Sequence, residues 1–231
     1  METSNSDTHK NGDSSGYVTI IYTASTLLSS PDFLTDLTAM INTNFQTFWT
    51  PFAPNLSDYQ RLPEHSSLPE ELGPQGFMIV MFDDQLPVAS SGAKLWDPNI
   101  KVASNTKSES EKQSGTGLGD GSEWEDIMTT VRQEENYMGR GLAKEMVRRV
   151  EAECVRRYRE TEGKSGTSGQ REMKRNVKCI ARCVKGMLSR FHEKLGYVMI
   201  AEESVPGMEN VAISGMEDVR IKILTMEKFV G

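Results

Sequence analysis

Apolar residues fall into short runs divided by polar stretches, and the spacing inside each run separates strand from helix. Residues 17–22 (YVTIIY) are β-branched and aromatic, which suits a strand. Ser30, Pro31 and Asp32 then open an amphipathic helix to about residue 48, with Phe33, Leu34, Leu37, Met40, Ile41 and Phe45 on its apolar stripe. After a Pro-rich connector, residues 76–82 (GFMIVMF) and 87–96 (PVASSGAKLW) flank the acidic turn DDQL as a hairpin would. Residues 123–131 (EWEDIMTTV) predict another strand. Residues 142 to about 159 predict a helix with Ala143, Val147, Val150, Cys154 and Tyr158 inward and most of its arginines outside. A strand at 177–184 (VKCIARCV), a helix at 187–195 stopped by Gly196, a short strand at 198–201 and a last strand at 219–226 complete the series. This order predicts one mixed α/β domain over 17–231, helices covering a sheet.

Three polar, Gly/Ser-rich stretches carry no such pattern: residues 1–16, 103–122 and 160–176. They read as a disordered tail and two surface insertions. No apolar run approaches the roughly 20 residues that cross a bilayer, so no membrane partner is expected. The first residues lack the apolar core of a secretory signal, and the cysteines number three, which together predict a reducing, cytoplasmic setting. Cys154, Cys179 and Cys183 have no partners at metal-ligand spacing, so free thiols and no metal are expected.

Charge changes the picture only in its distribution. The chain carries −7 overall, yet residues 140–194 hold sixteen Lys and Arg against seven Asp and Glu. A basic side can serve nucleic acid, a phosphorylated ligand or solvent alone. The apolar positions of that segment are spent on the core and no aromatic platform interleaves with its charges, which argues against nucleic acid.

The sharpest local feature is NYMGRGLAKEM, where Gly139 and Gly141 stand one residue apart between a strand and a helix. Such a turn aims several unpaired N–H groups and the positive end of the helix dipole at one spot, which suits an anion. Glycine also allows the positive φ that a backbone nest needs. A plain strand-to-helix turn would need only one glycine at the cap. The third glycine of a dinucleotide fingerprint and the Gly-Lys-Ser/Thr ending of a phosphate loop are both missing.

YMGRGLAKEM resembles motif A of the GNAT superfamily of acyl-CoA-dependent N-acyltransferases, Arg/Gln-x-x-Gly-x-Gly/Ala. Gly141 and Ala143 match, Gly139 and Arg140 are usual fillings, and Met138 stands at the Arg/Gln position. SRFHEKLGYV, residues 189–198, is similar to the later motif F-Y-E-K-L-G-F, and the upstream hairpin fits as well. The resemblance implies a mixed, mostly antiparallel central sheet with splayed fourth and fifth strands, flanked by helices. It implies that the pantetheine arm of acetyl-CoA lies in the gap against Thr129, Thr130 and Val131. The pyrophosphate would then meet amides from Met138, Gly139, Arg140, Gly141, Leu142 and Ala143. Lys185, where many members have Asn, would reach a phosphate or point to water.

The implied chemistry is direct attack of an amine on the thioester, which needs a base, a polarised carbonyl and a proton for the departing thiolate. A backbone N–H near Thr129 to Val131 would polarise the carbonyl. Glu125 and Asp126 are the carboxylates on the fourth strand; alternation puts them on opposite faces, and Glu125 is the favoured base. The acid is commonly a Tyr in the later motif, and here that position holds His192, whose imidazolium could donate. The expected acceptor is a small-molecule amine, cationic in view of the acidic remainder of the chain. Its contacts would come from the first helix, residues 49–74 and residues 206–214, with Phe45, Phe48, Trp49 and Phe52 lining a pocket or filling core. A monomer or homodimer is expected. The departures at Met138, Lys185 and His192 keep open a second reading, an acyl-CoA-binding protein without turnover or a fold put to another use in a small-molecule pathway.

Overall fold

A computed structural model describes residues 16–50, 60–97, 123–164, 176–186, 188–204 and 222–231. Its strands are β1 (Val18–Thr23), β2 (Phe77–Asp83), β3 (Leu86–Leu95), β4 (Glu123–Val131), β5 (Val177–Val184), β6 (Val198–Ser204) and β7 (Lys222–Val230). Its helices are α1 (Ala24–Leu28), α2 (Pro31–Trp49), α3 (Ser67–Leu72), α4 (Leu142–Lys164) and α5 (Ser189–Lys194). The seven strands form one sheet in the order β1-β2-β3-β4-β5-β7-β6, antiparallel except for the β4–β5 pair.

Local chemistry explains most boundaries. Thr23 caps α1, its Oγ1 accepting Thr26 N–H while Thr26 Oγ1 accepts Thr23 N–H. Pro31 occupies the first turn of α2, where its missing N–H costs nothing. The β2–β3 hairpin turns on two residues, Asp84 and Gln85, and Asp84 takes the positive φ (53°) that such turns favour. α4 runs five residues into the expected 160–176 loop. Glu160 pairs with Arg156 one turn back and Thr161 donates to the Arg157 carbonyl, which carries the helix onward. β7 likewise runs on past Met226, because Glu227 to Val230 find partners at Ile180 to Val177. The short helices α1 and α3 carry no periodic stripe in the sequence. Residues 1–15 and 98–122, and with them nearly all of the expected tail and first insertion, lie outside the described residues, as do 165–175 of the second insertion.

Two cores result, one on each face of the sheet. α4 lays Leu142, Met146, Val147, Val150, Cys154 and Tyr158 on Phe77, Ile79, Trp124, Cys179 and Met226. The expected stripe omits Met146, which is completely buried, and includes Ala143, which is only half-buried. On the other face α1, α2 and α3 cover Met78, Val80 and Phe82 with Leu27, Leu37, Ile41 and Leu68. Each such side chain contributes about 1.5–3 kcal/mol by leaving water. Charged groups lock the α4 face further. Glu153 accepts from Arg156 and Arg157, Arg157 stacks 4.4 Å over the Phe77 ring, and Lys228 of β7 holds Glu151 at 2.8 Å. Cys154, Cys179 and Cys183 are buried free thiols.

Candidate active site

β4 pairs with β3 almost throughout but keeps its other neighbour for only half its length. Glu123 to Asp126 pair with β5 at Lys178 to Ala181, and among the described residues that pairing stops there; Ile127 to Val131 keep β3, while β5 holds β7 on its other edge throughout. A gap therefore opens between the fourth and fifth strands, with alternate backbone groups of Ile127 to Val131 facing it. The register slips at the same place. Ala93 faces Asp126 while Gly92 faces Met128, so Ile127 is the extra residue of a bulge. A Cβ on Gly92 would sit 2.9 Å from Met78 Cε, 3.0 Å from the Phe77 carbonyl and 3.3 Å from Ile127 Cδ1, so glycine is needed where the bulge presses in. A glycine inside an otherwise clear strand pattern was the one sequence signal for it.

Beyond β4 the chain turns through Gly139 and Gly141, with φ of 72° and 77°. Both lie in the left-handed region, and a Cβ at either would meet nothing within 4 Å. The glycines are thus required by backbone conformation, and they leave the turn open. The α4 ladder starts with Glu145 N–H donating to the Gly141 carbonyl at 3.0 Å, so the amides of Leu142, Ala143 and Lys144 precede it without a backbone acceptor among the described residues. Met138 differs from the expectation: its N–H donates to the Glu134 carbonyl at 3.2 Å, and the open amides begin after it. A cavity of about 350 Å³ beside the turn is lined by Tyr17, Arg140, Gly141, Lys144 and Arg148 among others. Arg140 donates to the Tyr17 hydroxyl at 3.2 Å. Cations, open amides and a helix N-terminus converge there, a set that fits a polyphosphate.

The carboxylates of β4 point to opposite faces, as alternation requires. Glu125 lies on the α2 side, buried, between Lys94 (3.6 Å) and Arg182 (3.2 Å). Arg182 in turn stacks 4.7 Å over the Trp96 ring. Asp126 lies on the α4 side, deep in the molecule yet with some surface left open. That depth pushes its carboxyl up to about 7, against the opposing pull of bonds from Met128 N–H and Thr129 Oγ1. Thr129 Oγ1 is also 2.7 Å from Ser91 Oγ. Thr130 and Val131 continue the open edge, half-buried.

His192 sits on α5, buried on the α4 side between Phe191 and Tyr197, whose rings meet it edge-on at 5.2 and 5.4 Å. Its Nδ1 donates to the Leu188 carbonyl at 3.1 Å. Burial lowers its pKa, so the ring is neutral at neutral pH and Nε2 carries the lone pair. Glu125 and His192 are therefore on opposite faces of the sheet. Lys185 is engaged with Glu202 of β6, which also binds Lys222. On α2, Phe45 and Phe48 pack against Trp49 at 5.7 and 5.8 Å, half-buried, while Phe52 and residues 206–214 lie outside the described residues. No cluster of metal-ligating side chains occurs among the described residues, and no described helix is long and apolar enough to cross a membrane.

No protein-family model matches the chain, and no curated protein matches it in sequence. Solved structures do. The chain is similar to an aminoglycoside 6'-acetyltransferase type Ii, with 12% identity and a TM-score of 0.52 over 92% of this chain and 96% of that one. It is similar to the ribosomal-protein-S18-alanine N-acetyltransferase from Escherichia coli, with 10% identity and a TM-score of 0.51 over 93% and 95%. An aminoglycoside 6'-N-acetyltransferase complexed with coenzyme A gives 12% identity and a TM-score of 0.51 over 91% and 96%. With the parted fourth and fifth strands, the glycine turn and these neighbours together, the chain has the GNAT fold.

Proposed function

We propose that this protein is an N-acetyltransferase that moves an acetyl group from acetyl-CoA to an amine by direct attack on the thioester. The observation that carries the reading is the loss of β4–β5 pairing beyond Asp126 together with the left-handed Gly139–Gly141 turn that follows β4 in the chain. A pantetheine arm carries amides that can bond the free edge of Ile127 to Val131 like an added strand. Its pyrophosphate then falls to the amides from Gly139 to Ala143, with Arg140 close by. Similarity to a fold neighbour complexed with coenzyme A supports this placement.

The residues divide the work by face. An edge amide near Thr129 to Val131 polarises the thioester carbonyl. Glu125, on the α2 side, takes the proton of the incoming ammonium directly or through a water, leaving a neutral amine to attack the carbonyl carbon. The carbon–nitrogen bond forms, the carbon–sulfur bond breaks, and the extra proton of the new amide nitrogen passes to solvent. The thiolate leaves with a proton from the imidazolium form of His192, a ring that solvent reprotonates. Burial of His192 keeps few imidazolium ions at neutral pH, so this last step strengthens as pH falls. The acceptor is a small cationic amine entering from the α2 side, where the Phe45, Phe48 and Trp49 cluster offers apolar contact.

A second reading, acyl-CoA binding without turnover, is favoured by the neutral buried His192, the occupied Met138 amide and the Lys185–Glu202 pair. One experiment separates them: calorimetric titration with acetyl-CoA and CoA, followed by thiol-release assays against a panel of amines. Micromolar binding with thiol release supports the enzyme, and binding with no release from any amine supports the second reading. No binding of either nucleotide overturns both.

A further inference from the structure

The bulge at Ile127 is the point at which β4 leaves β5, and a bulge leaves backbone groups outside the regular ladder. Here the chain supplies its own partner. Asp126 Oδ1 accepts the Met128 N–H at 3.1 Å, closing a tight loop around the extra residue. Oδ2 accepts from Thr129 Oγ1 at 3.4 Å, and Thr129 Oγ1 reaches Ser91 Oγ of β3 at 2.7 Å. One carboxylate thus spans the bulge and ties it to the strand that does not move away. We infer that Asp126 is a positioning residue that fixes this bulge, and with it the parting of β4 from β5 that admits acyl-CoA, an inference that rests on the function proposed above.

Cost and placement both speak for the role. The groups that face Asp126 from the elements packed on it are Glu151 and Cys154 of α4 and the Tyr197 hydroxyl, with Cys179 of β5 beside the last two, and Glu125 is its neighbour on the strand. The nearby Lys228 is held by both oxygens of Glu151. The donors that reach the Asp126 carboxylate are an amide and a hydroxyl, which offset burial only in part, and a carboxyl kept at such cost belongs where geometry matters more than stability. It also lies on the α4 side, across the sheet from Glu125, so it does not compete for the acceptor's proton.

The test compares Asp126→Asn, which keeps an acceptor oxygen of the same shape, with Asp126→Ala, which removes it. Amide exchange and ¹H–¹⁵N shifts are read without any nucleotide. In the native protein the Met128 amide shift titrates with a midpoint near 7, the value to which depth raises Asp126. In Asp126→Asn that titration disappears and protection of Met128 stays within threefold. In Asp126→Ala protection falls at least tenfold, and CoA affinity falls at least tenfold with it, while Asn restores affinity. If Ala does not fold, Ser91→Ala loosens the second tie and gives a smaller loss of the same two quantities. Unchanged Met128 protection in the Ala variant overturns the inference, and so does lost protection with native CoA affinity. Native protein that binds no CoA overturns the proposed function instead, and the amide data then decide the bulge on their own.

Discussion

The two faces of the sheet are closed in different ways. On the α4 face most charges of the helix are tied to one another, Glu151 to Lys228, Glu153 to Arg156 and Arg157, and Arg157 onward to the Gln75 carbonyl and the Phe77 ring, while Asp126 is met by an amide and a hydroxyl. On the α2 face the core is apolar, but Thr38 Oγ1, Asn44 Nδ2 and Ser90 Oγ are buried and have no partner among the described residues. Such atoms each carry a desolvation cost of about 1–3 kcal/mol. The α4 face is laced by ion pairs that hold one geometry. The α2 face instead keeps buried polar atoms that no described residue partners.

The largest way to break this comparison is at the glycine turn. Gly141→Val puts a β-branched residue at φ 77°, a conformation that costs such a residue about 1–3 kcal/mol and that the turn can relieve only by changing shape. Acetyl-CoA affinity is expected to fall beyond detection by calorimetry, with a cooperative melt retained because a Cβ at this position meets nothing within 4 Å. Native affinity in this variant would remove the pyrophosphate from the turn.

Glu125→Gln tests the other face. The amide keeps the volume between Lys94 and Arg182 but takes no proton, so thiol release is expected to slow by about a hundredfold while CoA binding is unchanged. The comparison breaks if binding suffers and rate does not, since Glu125 would then be part of the nucleotide side.

His192→Phe has a smaller effect with a distinctive pH signature. The folded state binds the neutral ring and depresses its pKa, whereas the unfolded chain protonates near 6.5. Between those values the unfolded state holds more protons, so native stability falls as pH drops through the window. Phe removes that loss. Denaturant melts are expected to show the variant gaining on the native protein below pH 6.5 and matching it more closely above. Turnover should fall severalfold while CoA affinity holds, and an unchanged rate leaves His192 a packing residue.

The sequence made the α4 face legible because its constraints are local. A strand of nine residues, a glycine pair and a 3.6-residue stripe mark β4, the turn and α4, and the boundaries of β4 and β5 agree with the pattern residue for residue. The site's depth was not legible in the same way. Asp126 and Glu125 look alike in EWED, and only the bulge beside Gly92 decides that one of them reaches back to Met128. His192 reads as a proton donor until the rings of Phe191 and Tyr197 close around it. The α2 face was least legible, because α1 and α3 are too short to show a period and their burial is decided by packing across α2.

The smallest expected effect sharpens the contrast most directly. Thr38 is buried on α2 with a hydroxyl that has no partner among the described residues, and Val has nearly its shape without the polar atom. In a face already complete, Thr38→Val would remove a desolvation cost and raise stability by about 1 kcal/mol, with the helix penalty of a β-branched residue unchanged because Thr already carries it. Thermal melts without acceptor read that gain. If the α2 face keeps polar capacity for the acceptor, the same variant raises the acceptor KM while leaving kcat and CoA affinity alone. A gain in stability with no change in KM would make the spare polarity a packing imperfection, and the difference between the faces would then be one of construction rather than of use.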